Sequence, residues 1–174
     1  AFVTGATGFI GSHTAELLKK QGLTPRLLVR NRAKLPASLQ HGVEIVDGSL
    51  NQSPQALAKD LAGCEYVFHI AGLIGAIKRE EFEKANVEGT ANLIEAVHMS
   101  GSKPKRVLLV SSLATIGPCE SHLQPMREDA PPNPRTMYGE SKLKGERLAW
   151  ELCARYGLAL TVVRPPAVYG PRDW

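Results

Sequence analysis

Aromatic side chains make up only 6% of the 174 residues, and there are only three cysteines, Cys64, Cys119 and Cys153. The cysteines are odd in number and scattered, without the paired spacing of a metal site or a disulfide framework. They read as reduced structural residues of a cytoplasmic protein. No apolar run approaches the ~20 residues of a membrane-spanning helix, and no signal peptide precedes the first motif. Charge is weakly biased: the net charge is +4, and the densest basic run, Lys103-Pro104-Lys105-Arg106, carries no aromatics between its cations. That run reads as a solvated loop and argues against a nucleic-acid partner. Internal repeats and low-complexity segments are also missing.

What is present fits one globular domain with a sizeable core: 43% of residues are hydrophobic and 22% charged. Short apolar, β-rich runs occur at residues 1–5, 26–30, 43–47, 66–72, 106–112 and 159–165. Longer stretches with helical periodicity separate them. In residues 12–21, Ala15, Leu17 and Leu18 are expected to face inward, Lys19 and Lys20 approach the helix C-terminus, and Gly22 is a stop. Continuous apolar strands alternating with helices predict a parallel sheet covered on both faces. The proline-rich stretch Pro125 to Pro134 reads as a surface loop within the domain.

Near the start, "TGATGFIGSH" places Gly5, Gly8 and Gly11 at three-residue intervals between a strand and a helix. That context suits a nucleotide pyrophosphate: a tight turn at Gly5, close backbone approach at Gly8, and close helix–sheet packing at Gly11. A P-loop needs Gly-Lys-Ser/Thr, whereas this chain has Gly11-Ser12-His13, so that rival fails. At the end of the second strand an acidic residue commonly binds a ribose 2′-hydroxyl. Here stand Arg30 and Arg32, which suit a 2′-phosphate and favour NADP, with NAD possible; solvated loop arginines are the alternative. Downstream, "YGESK" sets Tyr138 four residues before Lys142, on one face of a helix. A free phenol, with a pKa near 10, is a poor acid or base at neutral pH until a cation favours its phenolate. Ser111 and Ser112 end a strand at the sheet edge where ligands bind in open α/β folds.

Together these segments resemble the extended branch of the short-chain dehydrogenase/reductase superfamily. That branch holds nucleotide-sugar epimerases and dehydratases, hydroxysteroid dehydrogenases and dihydroflavonol-type reductases. "TGATGFIGSH" is similar to its cofactor loop, "VFHIAG" to the fourth-strand motif, and "NVEGTANLIEA" to the following helix. "VSSLATIGP" is similar to its serine strand, "YGESK" to its YxxxK motif, and "RPPAVYGP" to the segment under the nicotinamide. The resemblance implies a Rossmann-type α/β fold: a doubly wound parallel sheet with helices on both faces and strand order 3-2-1-4-5-6. It implies one NAD(P)-binding domain over residues 1–174, with the C-terminal substrate-binding region lying beyond this chain.

By the same resemblance Tyr138 is the catalytic acid/base, Lys142 supports its phenolate and binds the nicotinamide ribose, and a serine holds the reacting oxygen. In the family pattern that serine stands five residues before the glycine ending the motif, here Gly117, which selects Ser112 over Ser111. The implied cofactor contacts are Gly5, Thr7, Gly8, Phe9, Ile10, Gly11, Arg30, Arg32, Asp47, Ser49, Ala71, Gly72 and Pro165, with Tyr138 and Lys142. Gly48-Ser49-Leu50 departs from the family's Gly-Asp-Leu, which puts the adenine contact in doubt. The expected reaction is hydride transfer to or from a secondary alcohol or ketone, on a nucleotide sugar, steroid-like or flavonol-like substrate. An epimerase or dehydratase would use that step transiently. The alternative is a noncatalytic dinucleotide-binding sensor or assembly protein. The resemblance also implies a homodimer paired through two helices, here residues 78–100 and 136–156, and Phe82, Leu93, Leu148 and Trp150 in those stretches exceed one core stripe. His13 reads as a helix-surface residue, His69 as a packed strand histidine, and Glu128-Asp129 as solvated. Asn86 is either structural or an organiser of the site through a water.

Overall fold

The structure, a computed structural model, describes residues 1–119 and 125–173. Six parallel strands form one sheet: β1 (Phe2–Thr4), β2 (Arg26–Val29), β3 (Glu44–Asp47), β4 (Tyr66–His69), β5 (Arg106–Val110) and β6 (Leu160–Val163). Their order, β3-β2-β1-β4-β5-β6, is the doubly wound one expected. The helices are α1 (Phe9–Lys20), α2 (Pro54–Leu61), α3 (Arg79–Phe82), α4 (Gly89–Met99) and α5 (Met137–Tyr156), and a π-helical turn, Glu83–Glu88, joins α3 to α4.

Successive strand residues point to opposite faces, so the sheet sorts its side chains into two cores. Phe2 and Leu28 join Leu57 and Leu61 of α2, Leu93 and Val97 of α4, and Leu152 of α5. Val3, Leu27 and Val29 pack instead with Ala15 and Leu18 of α1 and with Leu35 and Leu39. Each face is therefore covered by helices, as the apolar strands require.

Three expectations need correction. Leu17 does not share the inward side with Ala15 and Leu18; it is 57% exposed, two positions and about 200° around α1 from Ala15. Phe82 and Leu93 are buried in the chain's own interior, at 3% and 0% exposure, so neither extends an outer apolar face. Leu148 packs partly against the same core, and only Trp150 of that set stands out, half exposed. The fourth strand is also shorter than 66–72. Its ladder stops at His69 because the Thr4 hydroxyl accepts from the Ile70 and Ala71 amides, at 3.2 and 3.1 Å, and draws the backbone out of the sheet. Among the described residues no helix is long and apolar enough to cross a membrane.

Candidate active site

The site lies at the carboxyl ends of the strands, where the strand order reverses between β1 and β4. The chain leaves β1 through Gly5, which has φ +80°, and a Cβ there would come within 2.7 Å of the Ala71 nitrogen. A Cβ on Gly11 would fall 2.1 Å from the Gly5 carbonyl oxygen, so α1 can begin this close to the loop only with glycine at that position. Gly8 is the N-cap of α1 and supplies no side-chain cap, and the first turn holds no acidic residue. The first amides of α1 are left without a side-chain acceptor, with the positive end of the helix exposed to the cavity.

Opposite, β5 delivers Ser111 and Ser112, and α5 delivers Tyr138 and Lys142. Thr136 caps α5 by accepting from the Gly139 amide at 3.0 Å, which fixes where Tyr138 begins its turn. A cavity of about 670 Å³ is lined by Gly5, Thr7, Gly8, Phe9, Ile10, Gly11, Arg30, Ala71, Gly72, Ser112, Tyr138, Lys142 and Pro165, all expected site residues. A smaller neighbour of about 260 Å³ shares Gly5, Thr7, Arg30, Ala71 and Gly72 with it and adds Ser49 and Leu50. Arg32 and Asp47 line neither. Their exposed side chains bind each other, Arg32 Nε to Asp47 Oδ1 at 2.7 Å and Nη2 to Oδ2 at 2.6 Å. This pairing holds the Asp47 carboxyl below its ordinary pKa. Arg30, exposed and lining both cavities, has no ion-pair partner among the described residues.

Lys142 is 7% exposed, and its ammonium donates to the Val110 carbonyl at 2.7 Å. Burial lowers its pKa to about 8, opposed by the Glu146 carboxylate one turn further along α5. A Cβ on Gly72 would lie 3.5 Å from Lys142 Nζ, an ordinary contact, and a tighter 3.2 Å from Asn86 Oδ1. The phenol ring of Tyr138 packs at 6.3 Å, centroid to centroid, from buried Phe82.

Sequence reasoning passed over two features. Ser111 is 3% exposed and lines the cavity, and its Oγ is the one buried side-chain polar atom without a partner among the described residues. Ser112 Oγ already accepts from the Ala114 amide at 3.1 Å. The second feature is a buried ion pair. Arg164, just after β6, donates to both carboxylate oxygens of Glu146, which is almost wholly enclosed. The Ser111-Ser112 pair at the strand end marked the first, which was set aside for Ser112; no local signal marks the second. His13, read as a helix-surface residue, is exposed, and it contacts the Arg172 guanidinium at 2.9 Å, beside the Arg172–Glu16 ion pair.

The uncapped helix start, the glycine backbone and Ser111 all line one cavity. They fit a dinucleotide: phosphates on the α1 amides, and ribose hydroxyls within reach of buried donors. Fold and site thus define a dinucleotide-binding α/β domain. The sequence pattern of the NAD dependent epimerase/dehydratase family matches residues 1–173. The chain belongs to that family, within the extended short-chain dehydrogenases/reductases.

Two curated relatives show its range. A ceramide reductase of Caulobacter vibrioides is 36% identical over 171 residues, which cover 98% of this chain and 47% of the relative. UDP-glucuronate 4-epimerase 1 of Arabidopsis thaliana is 31% identical over 188 residues, covering 97% of this chain and 42% of that protein. The chain therefore spans about half the length of the curated relatives it matches. Among solved structures, MoeE5 in complex with UDP-glucose and NAD is 33% identical with a TM-score of 0.84, over 99% of this chain and 56% of that one. DesIV, a dTDP-glucose 4,6-dehydratase from Streptomyces venezuelae with NAD and TYD bound, is 27% identical with a TM-score of 0.87, over 99% and 57%.

Proposed function

We propose that this chain is the cofactor-binding part of an NAD(P)-dependent oxidoreductase acting on a secondary alcohol or ketone. The observation that carries the reading is convergence. Ser112 follows β5, and Tyr138 and Lys142 come from α5, yet all three line the same cavity as the glycine loop that follows β1. A nicotinamide cofactor, when bound, supplies or accepts the hydride. Tyr138 is the acid/base for the hydroxyl or carbonyl oxygen, Ser112 orients that oxygen, and the Lys142 ammonium favours the phenolate. The orphaned Ser111 hydroxyl is a second donor on the same wall. Net reduction and redox-cycling epimerisation or dehydration share these roles, and the names of the relatives span both.

The cofactor reading is NADP in preference to NAD. Arg30 supports it, as a cation lining both cavities with no ion-pair partner among the described residues; the Arg32 fork is occupied by Asp47. The protein is read as a cytoplasmic homodimer, supported by half-exposed Trp150 on α5 and Met99 on α4, and checked by light scattering of the full-length protein.

The mechanism is tested by Tyr138→Phe in the full-length protein with a confirmed substrate and saturating cofactor. Turnover should fall by ~10²–10⁴-fold, the usual contribution of general acid–base catalysis, with folding intact. A loss within about threefold would overturn the assignment to Tyr138.

A further inference from the structure

We propose that His69 is a positioning residue: a neutral imidazole, protonated on Nε2, that couples the cofactor-facing backbone at Ala71 to the helix carrying Tyr138 and Lys142. The proposal rests on the reading of the cavity as a dinucleotide site.

His69 is 1% exposed and lies between two hydroxyls, with Nδ1 2.9 Å from Thr4 Oγ1 and Nε2 2.9 Å from Thr90 Oγ1. Counting donors settles which nitrogen carries the proton. Thr90 Oγ1 is 2.8 Å from the Asn86 carbonyl oxygen, which can only accept, so the single Thr90 hydroxyl proton is committed there. Toward His69, Thr90 must accept, and Nε2 must donate. Nδ1 of the neutral ring then accepts from the Thr4 hydroxyl. Thr4 Oγ1 in turn accepts from the Ile70 and Ala71 amides.

Every link points the same way: Ala71 N–H to Thr4, Thr4 O–H to His69, His69 N–H to Thr90, Thr90 O–H to the Asn86 carbonyl. The Asn86 side chain carries the path onward. Its Nδ2 donates to Ser141 Oγ at 2.9 Å, and Ser141 donates to the Tyr138 carbonyl at 2.8 Å. Asn86 also clasps Leu73, donating to its carbonyl and accepting from its amide at 2.8 Å. A chain of aligned buried hydrogen bonds polarises its members and fixes their geometry as a unit. A protonated ring would donate at both nitrogens, which reverses the Thr4 link, and it would face the Lys142 cation. Burial and that cation hold the pKa of His69 down, at about 3.

Two measurements test this in the full-length protein. Nitrogen-15 shifts of the imidazole should show the Nε2–H tautomer, unchanged from about pH 8 to pH 5. Calorimetry with NAD and NADP should show Thr4→Val and Thr90→Val each weakening dinucleotide binding about five- to tenfold, the worth of one net hydrogen bond. If the path acts as a unit, the double variant loses no more than the weaker-binding single variant, and Thr90→Ser restores binding. An Nδ1–H tautomer, additive losses, or folded variants that bind like the parent would overturn the coupling alone. A parent that binds neither dinucleotide would overturn the cofactor reading and, with it, the role given to Ala71. If Thr4→Val fails to fold, the tautomer and the Thr90 pair of variants still decide.

Discussion

The wall of the cavity from Gly5 to Gly11 is backbone, whereas the wall from Ser111 to Lys142 is side chain. On the first wall, specificity comes from the absence of atoms: a Cβ on Gly11 would meet the Gly5 oxygen at 2.1 Å. On the second, reactive groups are held by buried polar contacts, with Lys142 on Val110, Ser141 on Tyr138, and Glu146 on Arg164. The first wall should fail by collision and the second by loss of partners.

The sharpest test of the side-chain wall is Arg164→Ala, which leaves the Glu146 carboxylate enclosed and unpaired. Stripping one partner from a buried pair costs about 3–5 kcal/mol, and chemical denaturation should show a loss near the lower figure. The double variant Arg164→Met/Glu146→Leu should regain most of it. If the single variant is neutral, the pair does not anchor α5.

On the backbone wall, Gly11→Ala should cost about 1–3 kcal/mol of stability, as overpacking does. Gly8→Ala places its Cβ at an ordinary 3.4 Å from the Gly5 oxygen and should cost clearly less, while weakening dinucleotide binding. Equal losses of stability at the two glycines would erase the distinction drawn between them.

Smaller effects are expected at the mouth. Arg30→Asp should weaken NADP about tenfold in calorimetry, the scale of one charge-assisted hydrogen bond, and leave NAD nearly unchanged. Arg32→Ala should move neither, because that guanidinium already serves Asp47. Smallest is a pH effect. Lys142 is a cation below its pKa of about 8 and neutral above it, so cofactor affinity should fall as pH rises. From pH 7 to pH 8 the drop should be about twofold, with no such slope in Lys142→Met.

Patterning made the parallel α/β sheet legible, the family resemblance supplied its strand order, and local spacing picked out two parts of the candidate site. Gly5, Gly8 and Gly11 announce themselves within seven residues, and Tyr138 and Lys142 within five, because helix geometry alone relates them. The hidden features join distant residues. Arg164 reaches Glu146 across 18 positions, and Arg32, in the turn after β2, reaches Asp47 at the end of β3 across 15, pairings that no single sequence displays. His69 was legible as a packed strand histidine, but its two hydroxyl partners lie 65 and 21 residues away. Phe82 and Leu93 misled for another reason. Periodicity counted 3.6 residues per turn through a segment that the π-helical turn at Glu83–Glu88 takes out of phase.

That turn also makes the helix sensitive to length as well as to composition. A π turn holds one more residue than an α turn of the same span, and each residue advances an α-helix by about 100°. Deleting a single codon within residues 83–88 would let an ordinary helix run straight through. Phe82 would then swing about a quarter-turn relative to α4 and leave the Tyr138 ring, although Ser112, Tyr138 and Lys142 would all still be encoded. Insertions and deletions are usually tolerated in loops and punished in cores; here a frame of reference for the active site is written into the count of residues in one helix.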